Sequence, residues 1–139
     1  WHERKMGELY LRLANFCQAP TLVSFGTAGT LLRQYIHHGC HATQVAEHTG
    51  GSTADSGEAW RFIRVGDAGD ADGTFGEILA HADSDTVLII EDIKRDTAAR
   101  RLWQLCTESK AVSVSYDLYY CGIAFFDTRR YKQNHIVNF

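Results

Sequence analysis

The sequence predicts an α/β domain built on a mainly parallel sheet. Three observations carry that prediction. Short apolar runs alternate with amphipathic segments through most of the chain. One run, Thr86–Ile90 (TVLII), is continuously apolar, as suits a central strand covered on both faces. The last two strand candidates, Val112–Tyr116 and Gly122–Phe126, lie only a few residues apart, as in an antiparallel hairpin. With 139 residues, the chain has material for one core, so a single domain over residues 1–139 is expected.

The elements follow in order. Leu9, Leu13, Phe16 and Cys17 recur at helical spacing within Lys5–Cys17, and Pro20 closes that helix. Thr21–Phe25 is the first strand. Leu31–His38 is the second helix, with Gly39 where a helix stop belongs. Thr43–Glu47 is a weak second strand. Thr49–Gly57, small and polar with three glycines, reads as a loop, or at best a helix worn down to a turn. Arg61–Val65 alternates and reads as a third strand, ended by Gly66-Asp67; Asp67–Gly73 is then another loop rich in Gly and Asp. Thr74–His81 is a short helix turning Phe75, Ile78 and Leu79 inward. Glu91-Asp92 stands at the carboxyl end of Thr86–Ile90. Asp96 caps a helix over Thr97–Thr107 whose buried stripe is Ala99, Leu102, Trp103 and Cys106. Ile136–Phe139 adds a short closing strand.

Composition removes several functions. A formal net charge of −3 leaves no basic footprint, so nucleic acid is not an expected partner. No apolar run approaches the roughly 20 residues a membrane helix needs, so no membrane partner is expected either. The chain opens on Trp1 rather than Met, as a fragment or processed form does. Cys17, Cys40, Cys106 and Cys121 are widely spaced beside apolar runs, without a C-x-x-C, and are expected as buried free thiols, which suits the cytoplasm. His37, His38 and His41 around Cys40 are expected as a surface cluster rather than a zinc site. The aromatic hairpin of Tyr116, Tyr119, Tyr120, Phe125 and Phe126 is expected as sheet core, and as a docking face wherever it is exposed.

The chemistry concentrates in Thr21–Gly29 (TLVSFGTAG), where an apolar run passes directly into a glycine turn and then a helix. That layout brings backbone N–H groups and a helix N-terminus to a nucleotide-like ligand. The same glycines also serve a tight turn needing φ > 0. No Ser/His/Asp arrangement with recognisable spacing appears.

The stretch RKMGELYLRLANFCQAPTLVSFGT resembles the opening helix and first strand of a bacterial subfamily of the class I S-adenosylmethionine (SAM)-dependent methyltransferases. TVLIIEDI resembles that subfamily's strand ending in paired acids, and YDLYYCGIAFF its final hairpin; from Asp83 to Phe139 the resemblance has no obvious gap. It implies a Rossmann-like methyltransferase fold with a C-terminal antiparallel hairpin, and SAM as cofactor. It implies that Gly26, Thr27 and Gly29 face the methionine end of SAM, Glu47 the ribose, and Asp67 with Ala68 the adenine. Glu91 and Asp92 resemble the acids that hold a divalent cation in metal-dependent members, but here no metal is expected.

The departures from the family are specific. Ser24 stands where the family has an acid two positions before the first glycine. Only the short loop Ala82–Asp85 separates Thr74–His81 from Thr86–Ile90, where the family has its fourth strand, an acidic loop and a helix. One strand–helix unit is therefore expected to be absent. Because the family's fourth strand lies beside its first, Thr86–Ile90 is expected to close up against Thr21–Phe25, with Thr74–His81 as the right-handed crossover. The resulting expectation is a methyltransferase-like domain with weak or no catalysis. If active, it would carry a methyl group from SAM to a small or exposed nucleophile. The alternative is a non-catalytic interaction module, with a homodimer as one form. Gly26→Val is expected to abolish SAM binding at modest cost in stability.

Overall fold

Two pairs of helices sandwich a seven-stranded mixed sheet in the computed structural model, which describes residues 2–48, 58–129 and 131–137. The elements are α1 (His2–Cys17), β1 (Thr21–Phe25), α2 (Thr30–Gly39), β2 (Gln44–His48), β3 (Phe62–Val65), α3 (Ala71–His81), β4 (Val87–Glu91), α4 (Thr97–Glu108), β5 (Val114–Asp117), β6 (Cys121–Phe125) and β7 (Gln133–Ile136). Each predicted element is present within a few residues. The exceptions in detail have local causes. α3 begins at Ala71, inside the stretch read as loop, because Thr74 N–H already donates to the Asp70 carbonyl at 2.9 Å. Leu79 faces solvent rather than the core. The closing strand is Gln133–Ile136, pinned by Gln133 N–H to Ser113 and Val137 N–H to Asp117; the expected Ile136–Phe139 overlaps it at Ile136, and residues 138–139 lie outside those described. The predicted loop Thr49–Gly57 lies outside the described residues.

Strand burial follows from coverage on both faces. Leu22, Phe62, Val87 and Ile89 point toward α1 and α2, where Tyr10, Leu13, Ala14 and Ile36 meet them. Val23, Phe25, Ile63, Val65, Leu88 and Ile90 point the other way, onto Ile78, Leu102, Trp103 and Cys106 of α3 and α4. The Asp96 carboxylate accepts from Ala99 N–H at 2.8 Å and so caps α4 as predicted. All four cysteines are free and buried; burial pushes the thiols of Cys17, Cys106 and Cys121 up to about 12.

The strand order is β2-β1-β3-β4-β6-β5-β7. β1, β2, β3 and β4 run parallel, β6 is antiparallel to both β4 and β5, and β7 is parallel to β5. This overturns one topological expectation. Val87–Ile90 does not lie beside β1; Phe62–Val65 does, pairing Leu22 with Phe62 through Phe25 with Val65. β4 sits one place further out, between β3 and β6. The reason is that all four β3 residues are buried and need a paired neighbour on each side. The neighbour of β1 on the side away from β2 is therefore β3. That leaves β2 as the sheet edge, with the half-exposed pattern that made it weak in the sequence.

Candidate functional site

β1 feeds α2 and turns to β2 on one side, whereas β3 feeds α3 and turns to β4 on the other. The crevice between the carboxyl ends of β1 and β3 is thus the topological switch point of the sheet, the place where open α/β sheets bind ligands. Two turns form its walls. After β1, Gly26 takes φ +104°, which L side chains rarely adopt. After β3, the N–H groups of Gly66 and Asp67 donate to the Phe25 carbonyl at 2.9 and 3.0 Å, clamping the second turn to the end of β1. Gly29 is the residue before α2 and offers no side-chain cap, so the helix N-terminus keeps backbone donors available.

Of the predicted residues, Gly26, Asp67 and Ala68 line one cleft, whereas Thr27, Gly29 and Glu47 are not among its lining residues, and several are engaged by neighbouring groups. Glu47, at the end of β2, accepts from Ala28 N–H at 2.8 Å and from Arg33 Nη2 at 3.2 Å. The Ala28 N–H, followed by Arg33, holds its carboxyl below the usual range. Asp67 Oδ1 accepts from Gly69 N–H at 3.0 Å, and the buried Ala68 offers its carbonyl to Thr74 Oγ1 at 2.6 Å. A cleft of about 480 Å³ opens beside them, lined by Phe25, Gly26, His48, Asp67, Gly69 and Thr74. On its flank, His48 lies against Phe25 at 4.7 Å between ring centroids.

The residue that reading the sequence missed is Arg64. Its side chain is 10 % exposed and runs from the middle of β3 into the crevice. Nη1 donates to Ser24 Oγ and to the Thr27 carbonyl, both at 3.0 Å, and Nε donates to Glu91 Oε2 at 2.9 Å. The Tyr10 hydroxyl from α1 donates to the same Glu91 oxygen. Burial first, and the Glu91 charge second, raise the Tyr10 pKa and keep that phenol protonated. Gly66 is bare because a Cβ there would fall 2.4 Å from Arg64 Nη2. Ser24, standing where an acid was sought, takes a guanidinium N–H and passes its own hydroxyl to the Gly26 carbonyl at 2.9 Å. A signal for Arg64 was present: a cation inside a strand of otherwise apolar, covered residues demands a buried acid, and Glu91 ends the adjacent strand.

On the other side of the guanidinium a second cleft of about 230 Å³ is lined by Tyr10, Leu31, Tyr35, Arg64, Asp92 and Tyr120. Glu91 is committed to Arg64 and Tyr10, and Asp92 alone cannot supply the six or more oxygens a hard cation takes. Among the described residues no group of three or more His, Cys, Asp or Glu is placed to hold a metal. The histidine cluster pairs differently from its spacing: His41 Nδ1 faces His37 Nε2 at 3.1 Å, both exposed, and His38 stands apart.

The solved structures that match share this architecture. A putative O-methyltransferase from Klebsiella pneumoniae superposes with TM-score 0.70 at 10% identity, covering 88% of this chain and 80% of that one. The O-methyltransferase from Bacillus cereus, solved with S-adenosylhomocysteine (SAH), superposes with TM-score 0.65 at 13% identity over 87% and 80%. The chain has a methyltransferase fold. The O-methyltransferase TomG from Streptomyces achromogenes, solved with SAM, agrees with TM-score 0.60 at 13% identity over 88% and 79%. No protein-family model and no curated protein matches the sequence. Within this methyltransferase fold no described helix is long and apolar enough to cross a membrane.

Proposed function

We propose that the chain is a methyltransferase-derived domain that takes an S-adenosyl-type ligand at the carboxyl ends of β1 and β3 and transfers methyl groups weakly or not at all. The observation that carries the second half is the Arg64–Glu91–Tyr10 network seated in the crevice. Methyl transfer depends on holding donor and acceptor in line at contact distance, and a filled crevice denies them that geometry. Support for the ligand comes from the glycine turn, the uncapped start of α2 and the adenosyl ligands of the Bacillus and Streptomyces relatives in fold. Gly26, Thr27 and Gly29 meet the ligand from the first turn, Glu47 from β2, and Asp67 with Ala68 from the second turn. No metal enters this reading. The test is incubation with SAM and a panel of small phenols, thiols and amines. SAH should form no faster than in a protein-free blank, and sustained turnover would remove the claim of lost catalysis.

A second reading, self-association as a homodimer, is favoured by one observation. β7 is an edge strand with all four residues exposed, flanked by Tyr131 and carrying Ile136 at 87 % exposure. Gln133–Ile136 contains neither Lys nor Pro, the residues that ordinarily protect an edge from pairing. Antiparallel pairing of β7 with its own copy about a two-fold axis would close symmetrically and cover Ile136. Sedimentation at about 100 µM should give twice the chain mass, falling to one chain for Ile136→Lys. A monomeric wild type rules the dimer out.

A further inference from the structure

We infer that the second cleft binds a small quaternary ammonium ion, because a cavity walled by three tyrosines carries a carboxylate that no described residue neutralises. This cleft is not the one lined by Gly26 and Asp67, and the inference does not rest on an adenosyl ligand binding there. Met6 and Tyr10 line it from α1, Leu32 and Tyr35 from α2, and Asp92 and Tyr120 from the turns after β4 and β5. Its volume of about 230 Å³ lies below the roughly 300–1,000 Å³ of most ligand sites, so the ligand is small. One wall has a visible sequence cost. Gly7 lies inside α1, where only proline is less favourable than glycine. A Cβ there would fall 2.2, 2.4 and 2.5 Å from three consecutive atoms of the Tyr35 ring. Such similar distances place Gly7 under the face of that ring, so the bare helix backbone seats Tyr35 at the cleft.

The charges around the cleft favour a cation. Glu3, Glu91 and Asp92 line it against one guanidinium, that of Arg64. Glu91 meets Arg64 at 2.9 Å, so those two charges balance. Asp92 is left over: among the described residues its carboxylate accepts no hydrogen bond and joins no ion pair. Its backbone is fixed instead, at φ +58° with its N–H donating to the Tyr120 carbonyl at 2.9 Å. A half-buried anion beside apolar walls attracts a positive charge more strongly than one in open water. The walls then choose among cations. A primary ammonium carries three N–H donors that each want an acceptor, and Met6, Leu31 and Leu32 offer none. A quaternary ammonium has no N–H to satisfy. Its methyl groups pack on apolar side chains, and its charge is met by aromatic rings together with Asp92.

Calorimetric titration of the whole chain with choline chloride, and with its uncharged isostere 3,3-dimethylbutan-1-ol, tests this. No nucleoside is added. Choline should bind saturably and about tenfold or more tighter than the alcohol. A smaller ratio, or no choline binding up to about 20 mM, overturns the proposal. Asp92→Asn removes the charge yet suits the backbone, since Asn also adopts positive φ. Choline affinity in that variant should fall by about fivefold or more. A smaller loss in the folded variant overturns the proposal too. Should the variant fail to fold, the wild-type ratio of choline to alcohol decides alone.

Discussion

Glu91→Leu is expected to destabilise the fold by about 3 kcal/mol, read as a lowered urea midpoint at unchanged slope. Glu91 sits between two donors that have little alternative. Arg64, only 10 % exposed, would keep Ser24 and the Thr27 carbonyl but lose its counter-charge. The hydroxyl of Tyr10, a buried residue midway along α1, would lose its acceptor. Breaking one side of a buried pair costs about 3–5 kcal/mol, and the lower end applies because Glu91 is itself 24 % exposed. Glu91→Gln retains an acceptor oxygen and should lose less. The double change Arg64→Met with Glu91→Leu removes both charges, and it should recover most of the loss because it leaves no uncompensated ion. A midpoint for Glu91→Leu within error of wild type would show that the network does not hold the crevice in place.

That network marks the boundary of what the sequence discloses. Strand and helix existence were legible because each element carries its own period: the buried stripe of α4 and the apolar run of β4 stand out without reference to anything else. Strand neighbours carry no such local mark. Thr86–Ile90 reads as a central strand and Arg61–Val65 as an alternating one, and nothing in either run states which of them pairs with β1. Reading Arg61–Val65 as an alternating strand gave no notice of where Arg64 sits. In fact Ile63, Arg64 and Val65 are all buried, because helices cover both faces of β3. Glu47 and Asp67 were locatable because they end strands, and ends of strands are where α/β sheets put ligands. Their engagement with Ala28 and Gly69 was not, since such bonds depend on how two turns approach in space.

Gly26→Val is expected to cost about 3 kcal/mol, and so to fail as a clean probe of binding, contrary to the modest cost that the turn motif alone suggests. Gly26 holds φ +104°, a conformation in which a β-branched residue carries about 1–3 kcal/mol of strain. A Cβ there would also lie 3.0 Å from both the backbone nitrogen and the Cβ of Asp67. That contact has no flexible partner to yield, because Asp67 N–H is already bonded to the Phe25 carbonyl. The second turn would have to leave β1, and the crevice with it. Gly29→Ala is the informative counterpart. Gly29 is extended, at φ −73° and ψ 168°, and a Cβ there meets open space, so stability should change by less than about 0.5 kcal/mol. An adenosyl ligand resting on that turn would nevertheless feel the added methyl. Thermal melts of the two variants beside nucleoside titration of Gly29→Ala therefore separate the turn's role in folding from its role in binding. Equal melts for Gly26→Val and wild type would mean that the turn tolerates a side chain and that its glycine is not conformationally required.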